Sequence, residues 1–153
     1  MRDELPRQAA QRLARAKADA AALPGDFVLA ADTVVACGRR ILPKAETEAA
    51  ARACLVLLSG RRHRVLTAVV LVAPDGRRAE RLAASVVGFA RLTEPQIRAY
   101  LECGEWHGKA GGYAIQGRAA AHVRFLSGSY SNVVGLPLFE TASLLRGHGY
   151  KIP

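Results

Sequence analysis

The chain has 153 residues, half of them hydrophobic and 23% charged, which suits one compact domain, residues 1–153, with a core of its own. No segment approaches the roughly 20 consecutive apolar residues of a membrane span, and the opening Met1-Arg2-Asp3-Glu4-Leu5-Pro6 carries no apolar signal stretch, so a cytoplasmic location is expected. Lys and Arg number 22 against 13 Asp and Glu, a net charge of +9 that favours a polyanionic partner such as a nucleotide, RNA or DNA, while scattered arginines and only 6% aromatic residues argue against a base-stacking platform.

From Glu4 to about Leu23 leucines and alanines recur at helical spacing among Arg, Gln and Lys, and Pro24-Gly25 ends the pattern, which predicts an amphipathic helix serving as scaffold. Phe27-Val28-Leu29-Ala30-Ala31 is an unbroken apolar run, read as a buried strand that delivers Asp32 and Thr33 at its end. Val34-Val35 and a turn signal at Gly38-Arg39-Arg40 follow. Lys44 sits in the loop before a helix expected over Glu46 to Leu58, which has acidic residues at its start and Ser59-Gly60 at its end. His63 to Ala73 and Arg81 to Phe89 read as the arms of a hairpin closed by Pro74-Asp75-Gly76-Arg77.

Thr93-Glu94-Pro95-Gln96 combines an N-cap, a proline in the first turn and a capping-box glutamine, and Gly104 stops that helix. The segment Gly108 to Gly117 then holds four glycines around Lys109 and Gln116. Glycine lets backbone amides approach phosphate oxygens while an ammonium neutralises charge, although a tightly packed strand corner has the same composition. Neither a Walker-type spacing nor Gly-x-Gly-x-x-Gly occurs. A strand is expected at about His122 to Leu126, a polar turn over Ser127 to Asn132, and a final helix from Leu138 to Arg146. The order of elements predicts an α/β domain, a mixed sheet flanked by helices. Cys37, Cys54 and Cys103, like the four histidines, lack the spacing of a disulfide framework or a zinc site.

Four blocks carry a family resemblance: Ala31-Asp32-Thr33-Val34-Val35, Leu57-Leu58-Ser59-Gly60-Arg61-Arg62-His63, Lys109 to Gly117, and Gly128 to Leu138. In order and spacing they resemble the signature blocks of the Maf-like nucleotide pyrophosphatases. The resemblance implies an elongated mixed sheet akin to that of the inosine triphosphate pyrophosphatases, a cleft, frequent homodimers, and a divalent cation, Mg²⁺ or Mn²⁺. It implies cleavage of a nucleoside triphosphate to the monophosphate and pyrophosphate, and the Ile115-Gln116-Gly117 form of the loop is similar to the subgroup acting on dTTP and UTP rather than on 7-methyl-GTP.

Carried over by position, Asp32 matches the proton acceptor and a metal-binding carboxylate, Lys44 and Lys109 match phosphate-facing lysines, and Thr33 and Gln116 match positions tied to substrate choice. A glutamine amide both donates and accepts, as the edge of uracil or thymine requires. The family's usual opening strand, its Ser-x-Ser-Pro-Arg-Arg loop and the following helix have no counterpart here, so an N-terminally truncated copy is expected, and Pro43-Lys44-Ala45 stands where Gly-Lys-Pro is usual. The competing readings are a catalytically impaired nucleotide-binding remnant and a basic nucleic-acid-binding module.

Overall fold

A computed structural model describes residues 3–153; Met1 and Arg2 of the opening stretch lie outside them. The helix expected first forms as α1 (Pro6–Ala21), with a proline in its first turn and Gln8 Oε1 accepting from the Leu5 amide at 3.1 Å. Strand β1 (Val28–Cys37) follows, and Gly38-Arg39 turns the chain into the short β2 (Arg40–Leu42). Helix α2 (Glu48–Leu58) starts where the Thr47 hydroxyl accepts from the Ala50 amide at 3.1 Å.

The expected hairpin is formed by β3 (Arg62–Val72) and β4 (Arg78–Phe89), in unbroken register from Arg62 opposite Gly88 to Val72 opposite Arg78. Helix α3 (Glu94–Cys103) has the reciprocal Thr93–Gln96 capping box and stops at Gly104 in the left-handed conformation. A 3-10 turn at Arg118–His122 leads into β5 (Val123–Ser127). The polar turn expected next is instead a short helix, α4 (Tyr130–Val134), because the Ser129 hydroxyl caps it by accepting from the Asn132 amide at 3.1 Å. Helix α5 (Leu138–Gly147) closes the fold.

The sheet runs β2-β1-β3-β4-β5, and every pairing is antiparallel, where a mixed sheet was expected. The tight turns joining β1 to β2 and β3 to β4 allow only antiparallel neighbours. Strands β2 and β3, which α2 connects, do point the same way, but β1 lies between them. The second correction concerns β1, which does not end near Ala31. Pairing with β3 continues from Val28 opposite Val72 to Ala36 opposite Arg64, so Asp32 and Thr33 sit in mid-strand, opposite Ala68 and Thr67. The weak strand preference of aspartate yields to the ladder on either side of it. Because β2 pairs only with Val35, Ala36 and Cys37, the outer edge of β1 from Val28 to Val34 carries no strand among the described residues.

Helix α1 lies on one face of the sheet, its Ala10, Ala14 and Ala18 fully buried against Val34, Ala68 and Val70. Arg15–Glu80 and Arg78–Asp19 ion pairs tie its outer side to β4, although exposed pairs of this kind stabilise little. The opposite face carries the main core, where Leu55 and Leu58 of α2 and Ile97, Tyr100 and Leu101 of α3 pack on Val65, Val87 and Phe89. Leu144 of α5 covers Val69 and Leu71.

Helix α4 is pinned to this face by Asn132, which is fully buried and donates from Nδ2 to Val65 O at 3.0 Å and Ser85 Oγ at 2.8 Å. Ser85 Oγ also accepts from the Ser129 amide at 2.9 Å. Asn132→Ala is expected to cost about 2 kcal/mol, since it strands buried acceptors, and to lower the Tm by several degrees; urea and thermal unfolding of the two proteins measure the difference.

Candidate active site

Successive side chains of a strand point to opposite faces, so β1 sends Asp32 toward α1 and Thr33 toward α4. Asp32 is only 5% exposed, and Lys17 of α1 reaches down to pair with its Oδ1 while also donating to Ala31 O at 3.3 Å. A carboxylate buried this far needs a cation or several donors. Since the strand edge is open here, a cleft of about 230 Å³ wraps around it and takes in both faces.

The far wall is the glycine-rich loop. Gly108 N donates to Ala45 O at 2.8 Å, Ala45 N to Lys109 O at 3.0 Å and Gly111 N to Pro43 O at 3.1 Å. These bonds zip residues 108–111 to residues 43–45, with Lys44 bridged to Ala110, so that Lys44 and Lys109 line the same cleft. Gly111 makes the approach possible. Its φ is +72°, and a Cβ there would lie 2.9 Å from Cγ1 of Val35.

Thr33 stands at the floor. The Asn132 carbonyl can only accept, so Thr67 donates to it at 3.1 Å and Thr33 donates in turn to Thr67 Oγ1 at 2.9 Å. This leaves the Thr33 lone pairs free to accept from a ligand. Gln116 lies exposed at the other side, beyond Tyr113 and Ala114, which also line the cleft. Tyr113 is 6% exposed and its Oη lies 2.5 Å from Nε2 of His63, itself 2% exposed, with both rings edge-on to Phe89. Burial pushes the Tyr113 hydroxyl well above its ordinary pKa and lowers that of His63 to about 4.

Asp32, Thr33, Lys44, Lys109 and Gln116, singled out on three separate stretches of chain, are thus brought into one cleft. Lys17 was missed. Its helix reads as scaffold because Ala10, Ala14 and Ala18 make a buried stripe, and the lysine beside that stripe looks like any solvated helix residue. Val133, Val134 and Gly135, which complete the wall, fell in a segment whose helical turn was not foreseen. Among the described residues Asp32 is the one carboxylate on the wall, and no group of three or more His, Cys, Asp or Glu side chains is arranged to hold a metal ion.

The sequence model of the Maf-like protein family matches residues 1–148. The chain is 66% identical over 151 residues to a dTTP/UTP pyrophosphatase of Granulibacter bethesdensis, a match covering 92% of this chain and 71% of that protein. It is 63% identical to the dTTP/UTP pyrophosphatase of Paramagnetospirillum magneticum, covering 98% and 80%, and 60% identical to that of Caulobacter vibrioides, covering 99% and 79%.

The buried His63 has a measurable consequence. Its pKa falls from 6.5 to about 4 on folding, so between those values the unfolded chain binds more protons and stability is lost as the pH drops. The contribution, present in full above pH 6.5, should shrink by about 3 kcal/mol toward pH 4. Urea unfolding across this range should show that slope flattened in His63→Gln relative to the parent.

Proposed function

As this chain belongs to the Maf-like protein family, we propose that its cleft hydrolyses dTTP and UTP to the nucleoside monophosphate and pyrophosphate. The observation that carries this reading is the meeting of one buried carboxylate with three ammonium groups, those of Lys17, Lys44 and Lys109, around a single cavity. A triphosphate brings about four negative charges, and its cleavage depends chiefly on positioning and charge neutralisation. The relatives from Granulibacter bethesdensis, Paramagnetospirillum magneticum and Caulobacter vibrioides are dTTP/UTP pyrophosphatases, which supports this choice of substrate.

In the reaction a water oxygen forms a bond to the α-phosphorus while the bond from that phosphorus to the oxygen bridging to the β-phosphorus breaks. The water proton passes to Asp32, and pyrophosphate departs with the bond electrons. Lys17 holds Oδ1 of Asp32, which orients the carboxylate and leaves Oδ2 to take the proton. Lys44 and Lys109 lie where they would offset the charge that builds on the leaving group. Gln116 and Thr33 read the base: an amide that donates and accepts on one side and a hydroxyl left free to accept on the other suit the carbonyl and N–H edge of uracil or thymine.

A single wall carboxylate suits a Mg²⁺ or Mn²⁺ ion bound mainly by the triphosphate itself, as magnesium usually is in phosphoryl-transfer sites. Asp32 is the wall carboxylate such an ion would neighbour, and the ion would supply further neutralisation of the phosphates while Oδ2 remains the proton acceptor. A homodimer working in the cytoplasm completes the proposal; no helix among the described residues is long and apolar enough to cross a membrane.

Pyrophosphate release from dTTP and UTP with Mg²⁺ or Mn²⁺ tests the assignment. Asp32→Asn should lower kcat by about 10² to 10⁴ with an unchanged fold. Lys44→Ala and Lys109→Ala should each reduce kcat/KM by about tenfold or more. A parent protein that releases no pyrophosphate from either nucleotide would remove the assignment, and binding of a non-hydrolysable UTP analogue without turnover would mark the chain as an impaired remnant.

A further inference from the structure

The glycine-rich loop is held by two independent sets of anchors. Its first half, residues 108–111, is zipped to residues 43–45 by backbone bonds and carries Lys109 beside Lys44. Its second half is held by side chains from α3 and the turn after it. The Ala114 amide donates to Tyr100 Oη at 3.1 Å, and the Arg118 amide donates to Glu105 Oε2 at 2.8 Å. Gln116 lies midway between these two bonds, two residues from each.

The second anchor is a tight fit as well as a hydrogen bond. A Cβ at Gly117 would lie 2.0 Å from Oε2 of Glu105, so the carboxylate occupies the space that a side chain would fill. Tyr100 is 4% exposed, and burial raises its hydroxyl to about 12, which keeps it a neutral partner for the Ala114 amide at any working pH. Neither Tyr100 nor Glu105 lines the cleft.

We infer that Tyr100 and Glu105 are positioning residues for base selection: by clamping the backbone on either side of Gln116 they set where its amide meets the base, while the lysines that face the phosphates are held separately. This role presupposes the dTTP and UTP specificity proposed above. A base reader discriminates only if its amide is held in place, because a mobile amide can pair with the wrong edge. Loosening the clamp therefore affects the choice of base and spares the handling of the phosphates.

The test compares kcat and KM for UTP and GTP, by pyrophosphate release, in the parent, Tyr100→Phe, Glu105→Ala and Glu105→Gln. Tyr100→Phe and Glu105→Ala should each lower the UTP-to-GTP ratio of kcat/KM by about fivefold or more, the worth of one hydrogen bond. The loss should appear mainly in KM for UTP, with kcat within about threefold of the parent. Glu105→Gln retains an oxygen that can accept from the Arg118 amide and should recover most of the ratio.

A ratio unchanged in both truncating variants would overturn the inference, and so would equal losses of kcat for both nucleotides, which mark general loosening of the site. Amide hydrogen exchange by NMR provides a readout that does not need turnover. Exchange at Ala114 should quicken about tenfold in Tyr100→Phe and at Arg118 in Glu105→Ala, while the amides of Gly108 and Gly111 keep their protection. If the parent turns over no triphosphate, the function proposed above fails on its own, and exchange that spreads to Gly108 and Gly111 would then refute the division of the loop.

Discussion

Burying a carboxylate in the middle of an apolar strand is the constraint from which the rest of this site follows. On its own face of the strand Asp32 is flanked by Ala30 and Val34 and is nearly inaccessible, so the fold must bring it a counter-charge. Lys17 meets that need from α1, and it can do so only because alanines let the helix settle close on β1 and β3. The same close packing that stabilises α1 on the sheet therefore also positions the acid. Lys17 is half exposed, with a side-chain exposure of 50% against 4% for Asp32, so the pair sits at the boundary where solvent and ligand reach the strand.

The open outer edge of β1 explains how residues on opposite faces of a sheet come to share one cavity. In a fully paired strand Asp32 and Thr33 would look into separate compartments. Here β2 covers only the last three residues of β1, and the chain beyond it, residues 43–45, turns away to meet the glycine-rich loop. The loop then stands opposite the strand edge and presents its lysine and glutamine toward it. Gly111 is the contact that sets the spacing between loop and strand, since Val35 leaves no room for a side chain there.

Behind the cleft lies a polar network that runs across the odd-numbered face of three strands. Thr33, Thr67, Asn132 and Ser85 are linked in series, and Asn132 adds a bond to the Val65 carbonyl. Such a network defines hydroxyl orientations as well as positions, because each acceptor that cannot donate dictates the direction of the bond before it. The floor of the cleft thereby offers an acceptor at Thr33, while the loop offers a donor and an acceptor at Gln116. The net charge of +9 is unevenly used: arginines are scattered along the chain, whereas three lysines, Lys17, Lys44 and Lys109, line the same cleft as Asp32.

Much of this was legible in the order of residues. Thr93 and Gln96 announce the start of α3 and Gly104 its end, since capping is decided by side chains within one turn of the boundary. The hairpin of β3 and β4 and the residues Asp32, Lys44, Lys109 and Gln116 could likewise be read from local pattern and from family resemblance. What local pattern does not carry is which distant segments touch. The continuation of β1 through Asp32 depends on the β3 ladder, the antiparallel sheet depends on β1 lying between β2 and β3, and the role of Lys17 depends on the face that α1 turns to the sheet. These are decided by burial and pairing between residues far apart in the chain, and only the folded backbone brings them into range.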